Sequence, residues 1–107
     1  MTMTKRQMTH YVLIDNHSGY VWGEADAADP VDACRAVDAE IGGEPREYEL
    51  ISSGAHNTTV SGYHVYAAPS GWREIQDGQS QEEIERVQSE CRRVCFVRSR
   101  VQSDEDA

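Results

Sequence analysis

The apolar positions fall into short clusters whose spacing changes along the chain, and that change sets the predicted elements. His10 to Ile14 contains an unbroken apolar run, Tyr11-Val12-Leu13-Ile14, and reads as a buried strand. Asp15-Asn16-His17-Ser18-Gly19 is turn chemistry, because Asp and Asn tolerate unusual backbone angles and Gly supplies a positive φ. Tyr20 to Ala25 follows as a second strand, opened by the β-favouring Tyr20, Val21 and Trp22. The two strands form a hairpin with a loop of about five residues.

Apolar residues then switch to helical spacing. Val31, Cys34, Val37 and Ile41 recur on one face, with Ala33 and Ala36 beside them. Asp29 is the N-cap, Pro30 fits the first helical position, Asp32 suits the dipole of the first turn, and Gly42-Gly43 ends the helix. Glu47 to Ile51 alternates acid and apolar, which predicts a strand with one wet face. Ser52 to Thr58 reads as a polar loop, Thr59 to Ala67 as a strand interrupted by Gly62, and Trp72 to Ile75 as a short fifth strand after the Pro69-Ser70-Gly71 turn.

Ser80-Gln81-Glu82-Glu83 has the spelling of a capping box. Behind it Ile84, Val87, Cys91, Val94 and Val101 keep helical spacing, broken by Arg98, and predict a helix of about four turns or more. Val94 to Val97 reads equally well as strand. The expected class is α+β, a small antiparallel sheet of four to five strands with two helices on one face, in the order ββαββ(β)α. Residues 1–8 are expected as a flexible tail, 9–101 as one domain, and 102–107 as a disordered acidic tail.

A chain of 107 residues with 38% hydrophobic content supports one modest core, despite a mean hydropathy of −0.68. The polar opening segment, Met1 to Met8, is followed by no apolar stretch of signal-peptide type, and no run approaches membrane-span length. Three cysteines, an odd number without a disulfide framework, fit a reducing cytoplasm.

Charge adds what hydropathy does not. Between Tyr11 and Glu85 stand 15 acidic residues and three arginines, while the other basic residues lie at the ends. With a net charge of −9, direct nucleic-acid or anionic-membrane binding is disfavoured and basic protein surfaces are attracted. The candidate partner-binding face is Asp26, Asp29, Asp32, Asp38, Glu40, Glu47 and Glu49. Helix capping accounts for Asp29 and Asp32 without a metal.

The remaining constellations carry less. Cys91 and Cys95, four apart, lack the second Cys/His pair that zinc needs. His10, His17, His56 and His64 are scattered, and no nucleophile motif accompanies them, so no enzyme, metal or cofactor is expected. The seam Ile84, Val87, Cys91 and Val94 serves either the core or a homodimer interface. Tyr20, Trp22, Tyr63, His64 and Trp72 would line a pocket if the chain were a small ligand-binding domain or enzyme.

With its Tyr11-Val12-Leu13-Ile14-Asp15 opening, hairpin, Asp/Glu-rich helix and missing catalytic motif, the chain resembles the small acidic proteins of phages and mobile elements, among them the anti-CRISPR inhibitors. The resemblance implies a stoichiometric inhibitor that occupies a basic, nucleic-acid-binding surface of a partner complex. It carries over no residue, because that group shares no motif.

Overall fold

A computed structural model describes residues 8–42, 46–51 and 60–101. The elements are β1 (Thr9–Asp15), β2 (Val21–Ala27), α1 (Pro30–Ile41), β3 (Arg46–Ile51), β4 (Gly62–Ala67), α2 (Gln81–Glu90) and β5 (Arg92–Val101). All five strands join one antiparallel sheet in the order β2-β1-β4-β5-β3. The α+β class is as expected. The expected loop over Ser52 to Thr58, the expected tail over 102–107 and all but Met8 of the expected tail over 1–8 lie outside the described residues.

Three expectations change. The fifth strand follows α2 and is Arg92–Val101; Trp72 to Ile75 forms part of the connection between β4 and α2. The last helix stops at Glu90, so Val94 lies on β5, where the register with β4 skips it between the pairs Val65–Cys95 and Tyr66–Arg93. The two helices cover opposite faces of the sheet. Alternation along β1 explains this: Tyr11 and Leu13 point to one side and pack with Ala33, Cys34 and Val37 of α1, while Val12 and Ile14 point to the other and pack with Ile84 and Val87 of α2. An unbroken apolar strand therefore sits between two cores.

The local signals behave as their chemistry dictates. The β1–β2 turn closes with Gly19 at a φ of 79°, and the Asp15 carboxylate accepts from both the Ser18 amide (2.8 Å) and its hydroxyl (2.9 Å). Asp29 caps α1 by accepting from the Asp32 amide at 2.9 Å, and Gly42 ends the helix at a φ of 91°. Ile41 does not join the core and is mostly exposed. In α2 the box forms only by half: Ser80 accepts from the Glu83 amide, but the Glu83 carboxylate pairs with Arg86 at 2.9 Å and the Ser80 amide turns to the Asp77 carbonyl.

Asp29 thus works in the fold as a cap, which gives a first prediction. Asp29→Ala lowers stability by about 1 kcal/mol, the ordinary cost of losing a carboxylate cap. Urea denaturation reads it directly, and an unchanged midpoint with an unchanged slope would show that the cap contributes nothing.

Candidate functional site

The described carboxylates sort into those used by the fold and those left facing solvent. Asp38, on the last turns of α1, belongs to the first group. It accepts hydrogen bonds from the Tyr48 hydroxyl of β3 (2.5 Å), the Tyr63 hydroxyl of β4 (3.0 Å) and the Trp22 indole of β2 (3.2 Å). The register puts Trp22 there. Leu13 pairs with Gly23 and Ile14 with Val21, so Trp22 is the extra residue of a bulge that turns its ring toward α1, where it stacks on Tyr63. Gly23 makes room for the helix, since a Cβ there would meet Val37. Burial and then the nearby Asp38 push both phenols well above their ordinary range, so they remain donors. Asp38 is a clamp between helix and sheet, half-buried beneath the acids around it.

Glu24 does the same on the other face. With its side chain only 11% exposed, it accepts from the His10 imidazole (2.7 Å), the Trp72 indole (3.0 Å) and the Ile75 amide (2.7 Å). It therefore holds the β4–α2 connection against the hairpin. The other ring nitrogen of His10 lies 2.6 Å from Asp26. Trp72 in turn lies under the Arg86 guanidinium, 4.2 Å from the ring centroid, so the connection is fixed from both sides.

The seven acids singled out in the sequence do not share one face. Asp29, Asp32, Asp38 and Glu40 belong to α1 and the face it covers, whereas Glu47 and Glu49 pair across β5 with Arg100 (3.6 Å) and Arg98 (2.9 Å) on the opposite face. Asp32 is partnered by Arg35 at 3.0 Å. Asp26 stands on β2 beside His10. Among the helix-seam residues, Ile84, Val87 and Cys91 are buried against β1, and Val94 packs from β5 toward the α1 side.

The five residues of the expected pocket are also divided. Trp22 and Tyr63 meet on the α1 face, while Trp72 lies in the α2 core. His64 is on the α2 side as well, where it meets the ring edge of Phe96. Cys91 and Cys95 fall into opposite cores, so they do not form half of one metal site; burial lifts the Cys91 thiol to about 11 and raises that of Cys95. Among the described residues, no group of three or more His, Cys, Asp or Glu side chains is arranged to hold a metal ion, and no helix is long and apolar enough to cross a membrane.

What the fold does bring together is an acidic cleft at the β2 edge of the sheet. It has a volume of about 460 Å³ and is lined by Trp22 and Glu24 of β2, Glu40 of α1, and Glu74 and Ile75 of the β4–α2 connection, with backbone at Gly23 and Gly78. Three of the lining residues are glutamates, and among the described residues no arginine or lysine joins them. Trp22 is 42% exposed, and Tyr20, just before β2, equally so. Glu40 was among the sequence candidates. Glu24 and Glu74 were not, because they are 50 positions apart in the chain and only the folded connection makes them neighbours.

No protein-family model matches the chain, and no curated protein or solved structure matches it either.

Proposed function

We propose that this domain is a non-enzymatic, acidic protein-binding module that engages a basic surface of a partner through the β2-edge cleft, and that it acts as a stoichiometric inhibitor of a nucleic-acid-handling protein or complex. The reading rests chiefly on one observation, a cleft lined by Glu24, Glu40 and Glu74 beside an exposed tryptophan. A cationic side chain entering it meets three acidic residues beside an exposed indole, and Trp and Tyr are the residues that most often anchor protein interfaces. Asp26, on β2, adds a further carboxylate to the same strand. Surfaces that hold nucleic-acid phosphates are rich in Arg and Lys, and a carboxylate array is complementary to them. The setting we infer is the cytoplasm, in keeping with three unpaired cysteines, all buried.

Attraction of this kind speeds association and weakens with salt. The test is capture of partners from a host lysate at low salt, comparing the wild type with the double variant Glu40→Lys/Glu74→Lys. Both residues are exposed, so the variant keeps its fold. Its affinity for the captured partner is expected to fall roughly tenfold or more. Equal binding by wild type and variant would remove the cleft from the interface. Glu47→Lys/Glu49→Lys serves as the comparison, since those acids are already matched by arginines on the adjacent strand β5.

A further inference from the structure

The two contacts of His10 constrain its protonation by geometry alone. Nδ1 lies 2.6 Å from an Asp26 carboxylate oxygen and Nε2 lies 2.7 Å from a Glu24 oxygen. A neutral imidazole has one N–H and one lone pair, so it satisfies only one of these contacts; the other would set a lone pair against a carboxylate lone pair. The imidazolium donates to both. Glu24 is one of the residues that line the cleft, and the carboxylate that the imidazolium neutralises also holds Trp72 and Ile75.

We propose that His10 is a proton sensor for the cleft: protonated, it cancels the charge of Glu24 and ties Asp26 down, and on losing its proton it frees Asp26 to swing into solvent and leaves the cleft one unit more negative. The release falls on Asp26 because that side chain is 68% exposed, whereas Glu24 is held by two further donors and is largely buried. Cation binding in the cleft and protonation of His10 are then competitive, so a basic partner binds more tightly as pH rises and expels the proton when it binds. This rests on the cleft being the binding site.

The surroundings agree. Burial pulls the His10 pKa down, but the hydrogen bonds and charges of Glu24 and Asp26 together outweigh it, and the net shift is upward from 6.5. The other titratable or charged groups on the packed elements are Tyr66 of β4, Arg86 of α2, Cys91 at its C-cap and Glu74 of the connection, and the shift comes from burial, Glu24 and Asp26. A folded-state pKa above the unfolded one also fixes the sign for stability. The contribution of the imidazolium is fully present below pH 6.5 and is lost as pH rises through the raised value.

The experiment has two arms. The first is an NMR titration of the His10 ring in the free protein. We expect a midpoint above 6.5 that falls on Glu24→Gln; a midpoint at or below the ordinary value overturns the sensor whatever the cleft does. The second measures affinity for a nona-arginine peptide between about pH 6 and 8.5, a window set around the titration range of histidine. Wild-type affinity is expected to rise by roughly two- to fivefold, the size of one exposed charge–charge interaction, and His10→Gln to be flat and as tight as wild type at the alkaline end. Parallel pH profiles for wild type and His10→Gln would overturn the coupling. A peptide that binds neither protein would instead defeat the cleft reading, and the coupling with it, while the first arm still decides the protonation of His10.

Discussion

Asp38→Ala is expected to destabilise the domain by about 3 kcal/mol and to lower the melting temperature by roughly 12–20 °C. The carboxylate is the shared acceptor for two phenols and an indole that come from three strands. Hydrogen bonds to a charged group contribute about 1.5–3 kcal/mol each, and donors left buried without an acceptor add their desolvation cost. Tyr63, 5% exposed, has no route to water for its hydroxyl, so it bears most of the loss; Tyr48 and Trp22 reach solvent in part. The three bonds share one acceptor and are not additive, which holds the total well below three times the single value. Asp38→Asn retains an acceptor oxygen and is expected to recover about half. A double-mutant cycle separates this from simple cavity formation: Tyr63→Phe costs about 1 kcal/mol alone but recovers stability once Asp38 is alanine, because it then removes a buried hydroxyl left without its acceptor. If Asp38→Ala melts with the wild type, the clamp has no energetic role and the residue returns to the pool of surface acids.

That result bears on function as well as stability. Asp38 looked equivalent to Glu40 in the sequence, two positions away on the same helix. In the fold one carboxylate turns down onto the sheet and the other turns out to the cleft. Loss of binding in an Asp38 variant is therefore expected to track loss of fold, and loss of binding in a Glu40 variant is expected to leave the melting temperature in place. Mutating acids by their position in the sequence alone would confuse the two effects.

Much of the architecture was legible because local chemistry agreed with the outcome. The Asp15–Gly19 turn, the Asp29 cap with Pro30 behind it and the alternation at Glu47 to Ile51 each act through near neighbours, so the chain carries their whole explanation. The position of α2 was legible too, in a residue pattern whose meaning was missed. Tyr11-Val12-Leu13-Ile14 has no polar alternation, and a strand apolar on both sides belongs to a sheet covered on both sides. Placing both helices on one face contradicted that run. The end of α2 was not legible: Cys91 carries no stop signal, and its backbone turns extended (ψ 154°) because Arg92 to Val101 gains two strand partners, β4 and β3. A helical spacing at Val94 loses to that long-range pairing. The cleft was hidden for a similar reason. Its acidic residues come from a strand, a helix end and a connecting segment, and long-range hydrogen bonds, from the Trp72 indole and Ile75 amide to Glu24 and from the Val21 amide to the Gly78 carbonyl, bring the third of these alongside the first.

Gly62→Ala carries the other large effect, and it shows how a glycine that merely interrupts a strand pattern reports a close approach. Gly62 opens β4 opposite Arg98, at the point where three chain segments cross: its carbonyl accepts from the Asn16 amide at 2.9 Å, and the neighbouring Ser61 carbonyl accepts from the Ser99 amide at 3.0 Å. A Cβ at Gly62 would press on the Val97 carbonyl oxygen, lie 2.6 Å from the Phe96 ring and 3.0 Å from the Arg98 Cα. Two of these neighbours are backbone and the third is a fully buried phenyl ring, so none yields cheaply. Relief requires prising β4 from β5 at the centre of the sheet, and the expected cost is about 3 kcal/mol or more, at the upper end for an added methyl in a packed interior. Gly23→Ala is the internal comparison. There the obstacle is the Val37 side chain on α1, which can shift with its helix, and the loss is expected to be smaller. Urea denaturation of the two variants side by side decides the point: equal midpoints would mean that the β4–β5 contact relaxes as easily as a helix on a sheet, and that the glycine at position 62 is not required by the approach of β5.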